Sequence, residues 1–356
     1  MANVQRLLSG IRPNGALHLG HYVGALRQWL SYEDTHECFF MVADVQVLAT
    51  RREPDPALAQ HVHDIVLDWL AVGLDPERSS FVLQSRMPEL AELTVYLQSL
   101  VQTGELRSNP TAREEARSWG KGSFTDGVNE VDFGFLGYPV SQAADILIFS
   151  TSPPAEGDAL IVPVGFDQVP HVEFAAEVGR RFNDLYGETF LLPEAKTTRV
   201  ARLPGIDGGS KMGKSSRNAI LLKDSEETLT AKVRSMFSDP LRVRPEDPGH
   251  PDDCPCFLFR SAFGAENLDL ERRRGDCLGA RTDCGDCKED LAAEIQTVLA
   301  PIQERRADYA RHPERVAGIL EDGTRRARKV AQETLERVRG AIGLSYPELE
   351  PTPKSE

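Results

Sequence analysis

An alternation of short apolar runs with helical segments over residues 1–185 is the feature that most constrains the fold of this chain. The runs "VQRLLSG", "ECFFMVADVQVL", "SSFVLQS" and "ALIVPVG" predict strands, and the second is apolar enough to be covered on both faces of a sheet. Segments with helical spacing lie between the runs, and in residues 58–70 the apolar side chains share one stripe. This alternation of strands and helices predicts βα units and a mostly parallel sheet.

No strand is predicted beyond about residue 220. Two long, charged, amphipathic helices are predicted there, at 289–312 and 313–342, after a Pro-, Asp- and Cys-rich insert at 245–288. The predicted architecture is therefore an α/β domain at 1–205, a glycine-rich loop at 206–217, and an all-helical domain at 218–346 that contains the cysteines of 254–287. The tail at 347–356 has the composition of a disordered end.

Charge and hydropathy narrow the functional classes. The formal net charge of −14 argues against broad, charge-driven binding to nucleic acid, and we expect no DNA partner. Local basic patches at 272–274 and 325–329 could still contact a polynucleotide, although such runs are more often solvated helix faces. The sequence has no apolar run of membrane-spanning length and no secretory signal, so we expect a cytoplasmic protein without a membrane partner.

The stretch "GGSKMGKSS" at 208–216 fits the pattern G-x-x-x-x-G-K-[ST] of a phosphate-cradling P-loop. A P-loop lies between a buried strand and a helix, whereas a proline and a glycine precede this stretch and a short strand-like run follows it. The turn in "SGIRPNGALHLGHYVGAL" is a better phosphate site because it leads into a helix, whose N-terminal N–H groups suit anions. His18 and His21 flank Gly20 at that junction.

Two segments resemble the class I aminoacyl-tRNA synthetases: "HLGH" is similar to their HIGH signature and "KMGKS" to their KMSKS loop. The stretches "GIRPNGALHLGHYVGALRQW", "YPVSQAADIL", "VPVGFDQ" and "APIQERR" are similar to the tryptophanyl-tRNA synthetases in particular. The resemblance covers nearly the whole chain. It implies a Rossmann-like catalytic domain followed by a helical domain that recognises the anticodon of tRNA(Trp), in a homodimer.

The resemblance implies activation of L-tryptophan by ATP, with Mg²⁺ as the counterion. An amino acid's carboxylate is already ionised near neutral pH, so its attack on the α-phosphate needs positioning and charge stabilisation rather than a general base. The catalytic residues implied are His18, His21, Lys211 and Lys214. The ATP contacts implied are Arg12, Pro13, Asn14, Gly20, His21, Gly165, Phe166, Asp167, Leu203, Lys211, Met212, Gly213, Lys214 and Ser215.

The amino-acid pocket implied by the resemblance centres on Asp145, whose carboxylate would accept the indole N–H and reject phenylalanine. A tyrosine hydroxyl could satisfy the same carboxylate, so tyrosine specificity stays open. The other pocket positions are Gln46, Tyr138, Gln142, Val164 and Gln168.

Besides Gly213 in "KMGKS" and the leucine in "HLGH", three positions depart from the family pattern. Gln46 and Gln142 stand where histidine and methionine are common; they make the pocket more polar, and we expect altered affinity or inhibitor sensitivity. Phe166 replaces a commonly acidic residue, so its contact with ATP would use the backbone.

Five of the cysteines fall between residues 254 and 287. Cys254, Cys277, Cys284 and Cys287 have the spacing C-x22-C-x6-C-x2-C, and thiolates suit zinc or iron–sulfur clusters. Zinc ribbons usually carry two C-x2-C pairs, and this insert has one. The spacing resembles that of tryptophanyl-tRNA synthetases with a 4Fe–4S cluster, which we favour over zinc and over unmetallated thiols, with Cys256 as a spare.

The expected function is thus a tryptophan–tRNA ligase, with L-tryptophan, ATP and tRNA(Trp) as partners. Three alternatives stay open. One is a tyrosine-specific synthetase, and another is a catalytically silent paralogue that binds tRNA or protein. The last is a P-loop NTPase, which would turn ATP over without an amino acid.

Overall fold

In a computed structural model of the chain, the described residues are 5–49, 53–118, 131–150, 157–197, 203–208, 212–213, 218–239, 241–263 and 270–346. Their centre is a parallel five-stranded sheet of order β3-β2-β1-β4-β5. The strands are β1 (Gln5–Ile11), β2 (Glu37–Val42), β3 (Ser79–Leu83), β4 (Ala159–Val164) and β5 (Glu194–Thr197). The prediction of a parallel sheet is confirmed.

Helices surround the sheet. They are α1 (Leu19–His21), which continues through a π-helical turn (Tyr22–Leu26) into α2 (Arg27–Tyr32), α3 (Leu58–Val72), α4 (Pro88–Gln98), α5 (Thr103–Ser108), α6 (Pro110–Ser118), α7 (Phe133–Leu147), α8 (Val169–Tyr186), α9 (Glu226–Arg234), α10 (Pro255–Phe263), α11 (Leu270–Leu278), α12 (Cys284–Ala310) and α13 (Pro313–Ala341). Within these ranges, no helix combines the length and the apolar character that crossing a bilayer requires.

The two faces of the sheet bury different residues because side chains alternate along a strand. Phe40 of β2 faces a cluster with α2 and α3, where the ring of Trp29 stacks on it at a centroid distance of 4.6 Å. Phe39 faces the opposite cluster, formed with α4, α7 and α8. Helix α12 packs against α3, so the long helices of the second half adjoin the sheet domain.

The structure corrects one strand prediction and adds a strand. The run "ECFFMVADVQVL" is strand only to Val42, and Val45–Ala49 form a 3₁₀ turn. The side-chain oxygen of Gln84 accepts the backbone N–H groups of Val45 and Gln46, at 3.0 and 3.2 Å, in place of a neighbouring strand. Strand β5 was not predicted. Apart from a single bridge at Leu221, the regular structure after residue 220 is helical in the described residues, as predicted. The domain boundary near 205 stays a prediction, and the tail at 347–356 lies outside the described residues.

Helix α13 closes the β3 edge of the sheet. The guanidinium of Arg326 donates to the backbone oxygen of Ser79 at 2.8 Å, and the backbone N–H of Leu83 donates to the hydroxyl of Thr324 at 3.0 Å. These backbone groups lie on the outer edge of β3, where no neighbouring strand is available to form hydrogen bonds with them. Side chains of α13 therefore form hydrogen bonds with the edge of β3 that a sixth strand would otherwise form.

The close approach of α13 to β3 depends on Gly323. A Cβ at this position would lie 2.5 Å from the backbone nitrogen of Phe81 and would overlap its carbonyl oxygen. We predict that Gly323→Ala lowers the free energy of unfolding by about 1–3 kcal/mol, the range for overpacked cores, in urea titrations. Gly318→Ala, on the same helix, is the control.

A Cβ at Gly318 meets no described atom within 4 Å. We therefore expect Gly318→Ala to stabilise the protein by about 0.5–1 kcal/mol, through helix propensity alone. Equal effects of the two substitutions would show that contact with the strand edge is not what requires glycine at 323.

Candidate active site

A cavity of about 460 Å³ opens at the carboxyl ends of β1 and β4. The chain passes from β1 to β2 and β3 on one side and returns to β4 and β5 on the other, and ligands of open α/β sheets bind at this kind of switch point. The predicted site residues that line the cavity are Arg12, Asn14, His18, His21, Gln46, Gln142, Asp145, Val164, Asp167, Gln168 and Gly213. One space thus joins residues predicted for ATP with residues predicted for the amino acid.

The "HLGH" turn is paired with the chain that follows the "KMGKS" loop. The backbone N–H of Leu19 donates to the oxygen of Ile220 at 2.9 Å, and that of Leu222 donates to Leu17 at 3.0 Å. Between these bonds, His18 and Leu221 form an antiparallel bridge. The segment after the loop is therefore extended rather than helical, which is the opposite of what a P-loop requires.

The two histidines of the turn lie against each other. Their ring centroids are 3.8 Å apart, and the backbone N–H of His18 donates to Nδ1 of His21 at 3.2 Å. A Cβ at Gly20 would lie 2.9 Å from ring atoms of His18, so a side chain there would displace that ring. Glycine at this position keeps the histidine ring at the cavity wall.

The described part of the "KMGKS" loop lies beside this turn. The backbone N–H of Gly213 donates to the side-chain oxygen of Asn218 at 2.9 Å, and that of Met212 donates to Leu203 at 3.4 Å. Gly213 lines the cavity together with His18. The predicted residues Lys211, Lys214 and Ser215 lie outside the described residues.

Asp145 is a buried carboxylate at the other end of the cavity. Gln84 donates its side-chain N–H groups to both carboxylate oxygens, at 2.9 and 2.8 Å, and Gln46 donates to one of them at 3.2 Å. Burial raises the pKa of Asp145 to about 6, and these hydrogen bonds oppose the rise. The carboxylate lies on the inner face of α7, where it can accept a hydrogen bond from a ligand in the cavity.

Tyr138 lies next to the cavity rather than in its wall. Its hydroxyl donates to Glu115 at 2.6 Å and lies 3.0 Å from Nε2 of His171. The guanidinium of Arg12 lies 5.3 Å from the centre of the tyrosine ring and 3.5 Å from Glu115. Burial lowers the pKa of His171 to about 4, so the imidazole is neutral at physiological pH. The contacts with the Tyr138 ring and with Glu115 hold Arg12 at the wall of the cavity.

Among the described residues, six of those predicted for the substrates, besides Tyr138, do not line the cavity. Phe166 is largely exposed, next to the exposed Gly165, whereas Leu203 and Met212 are buried. The remaining two are Pro13, which is buried, and Gly20, which is partly buried. Five of the six adjoin a lining residue in the sequence, and the backbone oxygen of Leu203 accepts from Met212, the residue before Gly213.

Sequence reasoning missed Gln84, Glu115 and His171. Gln84 lies within the predicted run "SSFVLQS" and directly follows β3 in the structure, and a polar residue at the carboxyl end of a parallel strand is a usable signal. Glu115 and His171 reach the site only because α6 and α8 meet around Tyr138, and local sequence carries no sign of that contact.

A second cavity, of about 30 Å³, lies in the cysteine insert. The four predicted metal ligands and the spare cysteine all line it: Cys254, Cys256, Cys277, Cys284 and Cys287. Their neighbours are cationic, since Arg260 donates to the sulfur of Cys287 at 3.5 Å and Arg242 to that of Cys284 at 3.8 Å. The donor set therefore has the chemistry of a thiolate metal site. Yet among the described residues no three metal-binding side chains converge closely enough to hold an ion.

The basic stretches are largely occupied by internal partners. Arg273 pairs with Asp290 and Glu294, and Arg274 pairs with Asp252. In the other stretch, Arg326 binds backbone oxygens of β3 and the preceding turn, and Arg328 pairs with Glu89. Neither stretch is a simple free patch of positive charge.

The sequence and fold of the chain match those of known proteins. A family model described as tRNA synthetases class I (W and Y) matches residues 2–300. A tryptophan–tRNA ligase of Treponema pallidum is 42% identical over 342 residues, which cover 96% of this chain and 97% of the relative. That of Thermotoga maritima is 41% identical over 345 residues, covering 96% and 100%. A crystal structure of tryptophanyl-tRNA synthetase from Campylobacter jejuni, complexed with ADP and tryptophan, is 30% identical, with a TM-score of 0.79 and coverage of 95% and 100%.

The parallel sheet, the pairing of the "HLGH" turn with the chain that follows the "KMGKS" loop, and these matches define a class I aminoacyl-tRNA synthetase. The similarity extends over nearly the full length of the chain and of its relatives. Within that class, the chain belongs to the tryptophan–tRNA ligase family.

The raised pKa of Asp145 predicts a pH-dependent stability. Its folded pKa of about 6 lies above the ordinary 3.8, so between these values the folded state binds a proton that the unfolded state does not. The free energy of unfolding therefore falls as pH rises through this window, by up to about 3 kcal/mol from this group.

Asp145→Asn should remove this contribution. Urea unfolding at several pH values measures it as the wild-type minus variant difference, which should decrease from about pH 4 to pH 7. A difference that does not change with pH would contradict a buried, ionisable Asp145.

Proposed function

We propose that this chain activates L-tryptophan with ATP, forming tryptophanyl-adenylate and pyrophosphate, and then transfers tryptophan to the terminal ribose of tRNA(Trp). The observation that carries the proposal is the single cavity that connects the buried carboxylate of Asp145 with the histidine turn and Gly213. A carboxylate acceptor for the amino acid and a phosphate-side turn are thus within reach of one bound pair of substrates.

The first step needs no covalent enzyme intermediate. A carboxylate oxygen of tryptophan bonds to the α-phosphorus of ATP, and the bond from that phosphorus to the bridging oxygen of the β-phosphate breaks. Pyrophosphate leaves with Mg²⁺ as its counterion. The protein contributes in-line positioning and donors for the charge that develops on the phosphates.

On the ATP side, His18 and His21 hold the phosphates at the turn, and Lys211 and Lys214 supply positive charge from the loop. Gly213, which lies between these lysines in the chain, supports this arrangement because it lines the cavity. The further ATP contacts proposed are Arg12, Pro13, Asn14, Gly20, Gly165, Phe166, Asp167, Leu203, Met212 and Ser215. The exposed Phe166 side chain agrees with a contact made by its backbone.

On the tryptophan side, Asp145 accepts the indole N–H, while Gln46 and Gln84 fix the carboxylate by donating to it. A substrate without a donor at that place would leave a buried carboxylate unpaired, which disfavours phenylalanine. Gln142, Val164 and Gln168 form the rest of the proposed pocket wall, and Tyr138 supports it through Arg12. Gln46 bonds directly to Asp145, so we expect it to alter the affinity of the pocket.

The same proposal covers the partners of the enzyme. The helical region after residue 218 binds the anticodon part of tRNA(Trp), and two copies of the chain form a homodimer. Since aminoacylation serves translation, we place the enzyme in the cytoplasm.

Tryptophan-dependent ATP–pyrophosphate exchange tests the catalytic proposal. We expect exchange with tryptophan and none with phenylalanine. Asp145→Asn should reduce kcat/KM for tryptophan by roughly 10- to 100-fold, the range for a hydrogen bond to a charged group. Asp184→Asn makes the same chemical change at an exposed position of α8 and should leave kcat/KM unaltered.

The alternatives give different results in the same assay. Exchange with tyrosine only would replace tryptophan as the substrate. ATP turnover without any amino acid would favour a P-loop NTPase. A protein that binds tRNA without exchange would be the catalytically silent paralogue.

For the cysteine cavity, we propose a 4Fe–4S cluster held by Cys254, Cys277, Cys284 and Cys287, with Cys256 as the spare and zinc as the alternative metal. The support is that all these thiols line one small cavity, beside Arg242, Arg260, Arg273 and Lys288, whose charges offset those of thiolates. A cluster there would shape a surface at the start of α12. No step of the reaction involves it.

Iron and sulfide analysis of anaerobically purified protein tests this second proposal. We expect a brown protein with iron and sulfide, and their loss in Cys277→Ser. Cys256→Ser, in the same cavity, should keep both. Stoichiometric zinc in the wild type would favour the alternative metal, and protein without either metal would contradict a resident site.

A further inference from the structure

The stretch "APIQERR" lies in the C-terminal half of α12, and the proposed chemistry gives it no role. In the structure, Arg306 of this stretch binds two carboxylates of α3. Its Nε donates to Asp68 at 2.7 Å and its Nη2 donates to Asp64 at 3.1 Å. Side-chain exposure is 16% for Arg306 and 0% for Asp68, so this ion pair is largely removed from solvent.

Asp68 connects the arginine to the histidine turn. Its second oxygen accepts the backbone N–H of Leu17, the residue before His18, at 3.2 Å. Burial raises the pKa of Asp68, and the charge and hydrogen bond of Arg306 oppose that rise. Arg306 therefore helps to keep the carboxylate of Asp68 ionised, and the ionised form is the stronger hydrogen-bond acceptor for the N–H of Leu17.

Asp64 connects the same arginine to the segment that pairs with the turn. Its second oxygen accepts from the ammonium of Lys223 at 3.2 Å. Lys223 follows Leu222, whose backbone N–H donates to Leu17 at 3.0 Å. The two carboxylates thus hold opposite chains of the pairing between residues 17–19 and 220–222, and Arg306 bridges them.

Helix α12 holds this segment at a second point, since the side-chain amide of Gln303 donates to the backbone oxygen of Asp224 at 2.7 Å. Arg305 is different: its Nε donates to the backbone oxygen of Ala71, near the end of α3, at 2.7 Å. That bond docks α12 on α3 but does not reach the histidine turn through Asp68. Substitutions of Arg305 and Arg306 can therefore distinguish two roles of α12. Loss of Arg305 affects only the docking of α12 on α3, whereas loss of Arg306 also affects the position of the histidine turn.

We propose that Arg306, acting through Asp68 and Asp64, is a positioning residue for the ATP-binding turn at His18–His21. It fixes that turn relative to the segment that follows the "KMGKS" loop, and so sets the geometry in which both hold the triphosphate. This inference rests on the proposed function, because that function assigns ATP to the turn. It also gives the helical half of the enzyme a direct connection to the ATP side of the cavity.

The test compares Arg306→Gln, Arg306→Lys and the matched control Arg305→Gln. Binding of ATP with Mg²⁺ is titrated by calorimetry, and the KM values for ATP and tryptophan come from pyrophosphate exchange. We expect Arg306→Gln to weaken ATP binding roughly tenfold, because small misplacement of positioning groups has effects of this size or larger. The KM for tryptophan should stay within about twofold, since Asp145 lies on α7 and its hydrogen-bond partners among the described residues, Gln46 and Gln84, are not part of this network.

The conservative variant and the control complete the design. Arg306→Lys keeps the charge but cannot bridge two carboxylates in the same way, so it should recover part of the lost ATP affinity. Arg305→Gln should leave ATP affinity unchanged. Asp68→Asn keeps the side-chain volume and should weaken ATP binding in the same direction as Arg306→Gln.

Two results would overturn the inference. One is an equal change of ATP affinity in Arg305→Gln and Arg306→Gln. The other is a lower free energy of unfolding in the Arg306 variants with unchanged ATP affinity, which would make the network structural only. Wild-type protein that binds ATP without exchange would instead contradict the proposed function, and the ATP titrations would still decide the role of Arg306.

Discussion

The pairing of residues 17–19 with residues 220–222 is the contact on which the candidate site depends. Each segment alone is only three residues long, and His18 is the one residue of the two segments with a titratable side chain. Backbone hydrogen bonds between them place the histidine turn and Gly213 on one cavity, although much of the chain separates them in sequence. The phosphate side of the site therefore exists only in the folded chain, and the helices that hold this pairing belong to the site as much as the residues that line it.

The sheet topology provides the other half of the arrangement. Since β1 lies between β2 and β4, the loops that follow β1 and β4 diverge and leave a crevice at their carboxyl ends. Helix α7 covers this crevice from one side and brings Asp145 into it. The polar contacts of Gln46 and Gln84 hold the carboxylate in an otherwise apolar cluster, where an unpaired charge would be costly.

Much of the fold could be predicted because buried parallel strands are continuous apolar runs and the helices are amphipathic. The same rule failed at residues 43–48, where the apolar run continues although the strand has ended at Val42. There the side chain of Asp44 bonds to the backbone of Ser85, and that of Gln46 bonds to Asp145. The rule also missed β5, whose sequence "EAKT" has no apolar run. Motifs predicted most of the residues that line the cavity. They could not predict Glu115 and His171, because these residues reach Tyr138 through contacts between helices that are distant in sequence. The cysteines that the spacing groups together line one cavity, but spacing does not fix how closely the sulfurs converge, and the metal site stays a prediction.

The docking of α13 on β3 has a consequence for the solubility of incomplete chains. Arg326 and Thr324 occupy the outward backbone groups of this edge, and Gly323 allows the helix to lie against it. The opposite edge, β5, is four residues long and carries Glu194 and Lys196, which discourage pairing with another strand. A nascent or truncated chain that ends before α13 exposes β3 as an open template for intermolecular strand addition. Protection of this edge against aggregation is thus completed only when α13 has been synthesised.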